Sequence, residues 1–450
     1  MWLQNAIPGD CPSFQVDAAN VHVINEPIEF FEELVRKSRQ SEHRITLSSL
    51  YIGTGPKERQ LIGTVRHALE CKPRLRATLL FDYTRSTRVD QTNVSSKDVL
   101  RDLVSDRSRV SLFLSPEFSK FFKKFFLLPS QKKNEIVSLQ HMKCFVFDND
   151  VIISGANLSE QYFEDRSDRY ILFTDCKVLA DYFDDLVKTV AGFSLSLASD
   201  GSLSLDSSMR YHPLSSRSRS DFIREARSRI RAFKSRHASN CNVTSCQTSV
   251  TPLLQMNEFG INDDTGFTCK LLASIPDGSV LKLASGYFNL TRQYQDLLHR
   301  LSEEVSCDVL MASEKVNSFY GAKGLLGYIP SFYTTVSRQF FHQISESNSH
   351  VRLWSFYRPN WTFHTKGLWI KTLDGLLVST IGSSNFGYRS AYKDLELQVV
   401  LATKDPDLQK RLTSEHESIW RYGSRVNSVS DFPRVPLWVQ LTSRWIKGFF

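Results

Sequence analysis

The sequence has 450 residues, 41% hydrophobic and 23% charged, and 56 Lys and Arg against 48 Asp and Glu leave +8 at pH 7. This balance describes a folded chain of one large bilobal domain or two to three average ones and excludes disordered, collagenous and coiled-coil classes. No run of about eighteen apolar residues occurs, so a spanning helix is not expected, whereas contact with a membrane surface stays open.

Eight cysteines, at 11, 71, 144, 176, 241, 246, 269 and 307, form no C-x-x-C pairs. Neither a zinc site nor a disulfide framework is expected, and the thiols read as mostly reduced and buried. The first forty residues carry Asp10, Asp17, Glu26, Glu29, Glu32 and Glu33, whereas an import presequence is Arg-rich and poor in acids. No cleavable targeting segment is expected in that stretch.

In chain order the elements run twice. A strand-like stretch from Arg44 to Gly55 has a counterpart from Leu281 to Thr291, with Ser49 and Tyr51 matching Ser285 and Tyr287. Leu75–Asp82 echoes Cys307–Ser313, and Arg109–Leu114 echoes Val351–Phe356. Each half then continues with His-x-Lys, an apolar run, a small-residue turn ending in Asn, and an acid. These are His141, Lys143, Asn157 and Asp168 in the first half, and His364, Lys366, Asn385 and Glu396 in the second. The Asn-to-acid spacing is eleven residues in both, and of the eleven histidines only His141 and His364 have Lys at +2. Short strands alternating with helical stretches such as Val178–Val190 predict a mixed α/β sheet in each half. The expected division is a first lobe over 12–193, a Ser-rich linker over 194–220, a basic helical connection over 221–260 and a second lobe over 261–450.

The paired series resembles the phospholipase D superfamily, whose signature is H-x-K-x4-D followed by a G-S-x-N-like turn, present twice. His141, Lys143 and Asp148 stand at the family spacing; in the second copy Lys371 replaces the acid and Asp374 falls three residues late, so the acid's role is not carried onto it. The resemblance implies an α/β fold of two phospholipase D-like lobes related by a pseudo-twofold, each a mixed sheet flanked by helices, with the active site at their interface. Its residues suit the chemistry. A phosphodiester repels nucleophiles until its oxygens are neutralised, which Lys143, Lys366 and the amides of Asn157 and Asn385 can do. One imidazole attacks phosphorus and the other moves a proton, since histidine exists in both forms near neutrality. Asp168 or Glu396 can fix a ring tautomer. This scheme requires no metal or other cofactor, and stimulation by a divalent ion stays open.

Longer segments are similar to the eukaryotic phosphatidylglycerophosphate synthase family, from about Pro12 to the C-terminus: Ser49–Leu61, Leu139–Tyr170, Phe319–Pro330, Trp361–Ile370 and Ile381–Gln398. That resemblance implies a mitochondrial transferase that makes phosphatidylglycerophosphate and CMP from CDP-diacylglycerol and glycerol 3-phosphate, the committed step towards cardiolipin. By the superfamily pattern His141 is the nucleophile. Lys323, Arg358 and Arg389 are candidates for the acceptor phosphate, and Gly53 and Gly55 for a nucleotide phosphate. Peripheral contact with an anionic membrane would use Phe118–Leu128, which interleaves Phe and Lys, or the amphipathic Leu437–Phe450. The Arg-rich Asp221–Arg236 reads as a solvated helix face. The alternative is a phosphodiesterase of the same superfamily acting on nucleic acid or another phospholipid, which the basic charge would suit; a nucleic-acid partner is not expected.

Overall fold

Two runs of short strands and helices fold into two mixed sheets in the computed structural model, which describes residues 2–118, 137–238, 247–347 and 349–446. The first sheet uses β1 (Val21–Ile24), β2 (Arg44–Ser48), β3 (Arg76–Asp82), β4 (Ser108–Phe113), β5 (Cys144–Phe147), β6 (Asp150–Ser154) and β7 (Tyr170–Phe173). The second uses β8 (Thr248–Met256), β9 (Val280–Ser285), β10 (Ser306–Ala312), β11 (Val351–Phe356), β12 (Lys366–Lys371), β13 (Leu377–Gly382) and β14 (Glu396–Thr403). Their orders are β4-β3-β2-β5-β6-β7-β1 and β11-β10-β9-β12-β13-β14-β8, one topology drawn twice. In both, three parallel strands meet an antiparallel set through one pair, β2 with β5 (Ser48 opposite Cys144) and β9 with β12 (Ser285 opposite Lys366). The matched segments of the two sequence halves are these equivalent strands.

The strands read as near-continuous apolar runs because helices cover them. The covering set includes α1 (Pro27–Gln40), α2 (Pro56–Cys71), α3 (Lys177–Ala191), α4 (Arg219–His237), α5 (Ile329–Glu346) and α6 (Pro406–Trp420), and α7 (Leu437–Ile446) packs on α5. Helix α1 starts on Pro27 with a Glu26/Glu29 capping box and buries Phe30, Phe31, Leu34 and Val35 along one stripe. One apolar cluster runs through both lobes, joining Val146, Ile153 and Ile171 of the first sheet to Ile381, Leu397 and Val399 of the second, with Phe183, Phe222 and Phe233 of α3 and α4. The lobes therefore share a core instead of meeting at a wet seam.

Two features differ from the expected division. The Ser-rich stretch is no simple tether: Leu195–Leu197 and Leu203–Leu205 form a hairpin that extends the first sheet beyond β4. Its Leu-Ser alternation has period two, a strand pattern that a serine-rich composition conceals. Phe14–Gln15 pairs with β8 in the second sheet, so the start of the chain closes the edge of the lobe that follows it. Among the described residues Cys11, Cys144, Cys176 and Cys307 are buried and free, and Cys71 is exposed. No described helix is long and apolar enough to cross a membrane. Residues 119–136, which hold most of the Phe/Lys segment, lie outside the described residues.

Candidate active site

Two short ladders across the lobes position the chemistry. Arg166–Ser167 pairs in parallel with Thr362–Phe363, and the His364 amide donates to the Ser167 carbonyl at 2.9 Å. Gln140 bridges Leu395 in parallel, and the His141 amide donates to the Leu395 carbonyl at 2.8 Å. In each case the residues before the histidine of one half lie against the residues before the acid of the other.

The pairing is therefore crossed. His141 Nδ1–H donates to Glu396 Oε2 at 2.8 Å, and His364 Nδ1–H donates to Asp168 Oδ2 at 2.6 Å. Glu396 is fully buried and also accepts from the Ser383 and Ser390 hydroxyls at 2.5 and 2.6 Å. Lys143 and Lys366 are buried and donate to the carbonyls of His141 and His364 at 2.7 and 2.6 Å. Lys366 lies 3.6 Å from Asp168. Gly155 in the first turn makes room for both: a Cβ there would sit 2.5 Å from Asp168 Oδ1 and 2.8 Å from Lys366 Nζ.

These contacts set the charges. Burial, then the Lys143 ammonium, holds His141 well below the usual histidine range; burial, then Lys366, does the same to His364. Both shifts favour the neutral imidazole, in which the ring donates a hydrogen bond to its acid. Burial raises Glu396 to about 7 and lowers Lys143 to about 7, each drawn back by the other's charge. Burial pushes Asp168 up, but Lys366 and His364 together outweigh it and hold the carboxyl below its ordinary range. Lys366 is lowered by burial and supported by Asp168.

Both histidines line one cavity of about 390 Å³, together with Asn157 and Asn385. Four guanidiniums, Arg85, Arg88, Arg166 and Arg389, line it too, with Tyr51, Tyr162 and Tyr287. Asn157 Nδ2 donates to the Tyr162 hydroxyl at 3.0 Å, which lies 3.2 Å from His364 Nε2. His141 Nε2 has no partner among the described residues. The Oδ1 atoms of Asn157 and Asn385 are buried without one. A cleft that sets two imidazoles among four guanidiniums suits an anionic phosphoester.

Not every predicted residue joins it. Asp148 sits at φ 50° in the turn after β5 and accepts from the amides of Glu42, His43 and Arg44 at 2.8, 2.8 and 2.9 Å. It staples a loop at the end of the sheet and does not line the cavity; short acids tolerate that backbone and cap turns. Gly53 and Gly55 do not line it either. Glu58 folds back over them, so a Cβ at Gly53 would meet its Oε1 at 2.2 Å, and that same oxygen accepts from the Glu160 amide at 2.7 Å. The chain's own carboxylate fills the place assigned to a phosphate. Lys323 is exposed and outside the lining. Arg358 stacks on Trp361 at 3.3 Å beside a separate cleft. Arg389 alone of the three candidate cations lines the cavity, where it pairs with Asp394 at 2.8 Å.

Tyr162, Arg85, Arg88 and Arg166 were not singled out by the sequence. Arg166 had a readable signal, two residues before the acid in a segment already matched; Arg85 and Arg88 follow a strand far from any motif.

Duplicated sheets with crossed His–acid pairs over one arginine-lined cleft define a phospholipase D-like enzyme. The fold agrees with that of phosphatidylserine synthase from Haemophilus influenzae Rd KW20, at a TM-score of 0.74 and 18% identity over 100% of this chain and 99% of that one. In sequence, the mitochondrial CDP-diacylglycerol–glycerol-3-phosphate 3-phosphatidyltransferase of Homo sapiens is 35% identical over 100% of this chain and 85% of its own length. The enzyme of the same name from Saccharomyces cerevisiae is 29% identical over 94% and 86%. No protein-family model matches. The chain belongs to the CDP-diacylglycerol–glycerol-3-phosphate 3-phosphatidyltransferase family.

Proposed function

We propose that this chain transfers the phosphatidyl group of CDP-diacylglycerol to glycerol 3-phosphate, through a phosphohistidine on His141, at a mitochondrial membrane. The observation that carries the reading is that both crossed His–acid pairs open on one arginine-lined cleft. The cavity guanidiniums face the diphosphate oxygens, whereas Lys143 and Lys366, buried on the carbonyls of His141 and His364, stand behind the histidines and outside the lining. His141 Nε2, kept unprotonated by the Nδ1–H bond to Glu396, attacks the phosphorus that bears the diacylglycerol; the P–O bond to the bridging oxygen breaks and CMP leaves. CMP departs as a phosphate and needs little protonation, so His364 serves mainly in the second step. There its Nε2 takes the proton of the 1-hydroxyl of glycerol 3-phosphate, and that oxygen displaces the phosphatidyl group from His141. Asp168 stabilises the imidazolium that His364 becomes. The products are phosphatidylglycerophosphate and CMP, and the cycle routes no step through a metal.

His141 is favoured over His364 as nucleophile because its Nε2 is unengaged, whereas that of His364 meets Tyr162. The test is an alkaline quench, which preserves phosphohistidine, with lipid-labelled CDP-diacylglycerol and peptide mapping, beside a labelled DNA control. An adduct on residue 141 that accumulates in His364→Ala and is absent from His141→Ala supports the cycle. An adduct on residue 364, or cut DNA without CMP release, overturns it.

A further inference from the structure

Large apolar side chains are exposed in several places, but one group adjoins the catalytic cavity. The 3₁₀ turn Gly324–Tyr328 precedes α5, and its Leu326 lines the cavity with Phe319, while Leu325 and Tyr328 are 61% and 41% exposed. Tyr328 meets Trp438 of α7 edge to face at 4.7 Å. Helix α7 is held on α5 by Val435 and Val439, which pack with Phe332 and Val336. The face of α7 away from that contact carries Leu437 and Leu441, four residues apart and 76% and 75% exposed, beside Trp438 at 45%. Exposed Lys323 and Arg434 flank the turn and the helix in sequence.

We propose that the 3₁₀ turn Gly324–Tyr328 and helix α7 form the surface by which the protein lies on an anionic bilayer, with the turn as the threshold over which a lipid's acyl chains pass from the leaflet to the cavity. The inference rests on the transferase reading, because a donor held by its phosphate at His141 must lead its acyl chains out of the cleft. One turn that faces the cavity through Leu326 and solvent through Leu325 and Tyr328 gives them a continuous apolar route. Leucines and aromatics at headgroup depth, with cations beside them, are the composition of an interfacial anchor.

The test is flotation of the full chain with vesicles of phosphatidylcholine and phosphatidylglycerol. The triple variant Leu325→Ser, Leu437→Ser, Leu441→Ser removes three exposed side chains that touch neither histidine. Leu373→Ser is the control, 82% exposed at the β12–β13 turn, the end of those strands remote from Lys366. The triple variant is expected to lose at least about tenfold in vesicle partition and to keep turnover of detergent-dispersed CDP-diacylglycerol within about twofold; the control matches wild type in both. Wild-type partition in the triple variant overturns the proposal. So does a changed sedimentation coefficient with vesicle binding intact, which would make the patch a contact between copies of the chain. If the wild-type protein forms no product from dispersed substrate, the transferase reading fails, and flotation still decides the surface.

Discussion

Replacing Asp168 by Asn keeps the shape of the second His–acid pair and removes its charge. Asp168 holds His364 Nδ1 at 2.6 Å and stands 3.6 Å from the Lys366 ammonium, all three buried. A charge-assisted hydrogen bond of this kind contributes about 1.5–3 kcal/mol. A charge pair at that separation in an effective dielectric of ~20 contributes about 4–5 kcal/mol, so its loss lowers Lys366 further and favours its neutral form. The two effects share one oxygen and do not add. The asparagine amide can also donate to Nδ1 and move the ring proton to Nε2, where it blocks proton abstraction. We expect turnover to fall about 10²–10⁴-fold, with the second step hit harder than the first. Rapid-quench measurement of CMP should then show a burst ahead of slow phosphatidylglycerophosphate formation. Turnover within about threefold of wild type, or CMP and product slowed alike with no burst, refutes the assignment of His364 and Asp168 to the acceptor step.

Asp148→Ala removes the acceptor of three backbone amides and is expected to destabilise the fold by about 2–3 kcal/mol, read by denaturant unfolding, while turnover per folded molecule stays near wild type; a collapse of turnover in stable protein would restore a catalytic role. The pH profile should be narrow. Activity is lost as pH falls and Glu396, raised to about 7, takes a proton, and lost as pH rises and Lys143, lowered to about 7, gives one up. Lys143→Arg, which cannot deprotonate, should move the alkaline limb of kcat/KM upward at a lower maximum. An unmoved alkaline limb contradicts the role of Lys143.

The duplicated His-x-Lys, Asn and acid series was legible because each half keeps it in order at fixed spacing and equivalent strands carry it. The exchange of acids was not. Asp168 and Glu396 were recognisable as tautomer-fixing groups, but which ring each holds depends on ladders between segments 196 and 255 residues apart, and no local pattern encodes that. Asp148 illustrates the opposite error: its spacing matches the family signature, but spacing reports where a residue lies along a strand and turn, not which end of the sheet it occupies. Gly53 and Gly55 read as a phosphate cradle since glycine permits close approach, and the side chain that makes the approach, Glu58, is the chain's own. Arg85, Arg88 and Arg166 reach the cavity from separate segments, so their convergence is a property of the fold alone.

The exchanged acids also govern when the enzyme comes into being. During synthesis the first half emerges with His141 in place, but the carboxylate that orients this ring belongs to β14, among the last strands made. A chain cut between His141 and Glu396 carries the imidazole without the acid that orients its ring. The pair at His141 is therefore assembled only after the strands of the second sheet have been made.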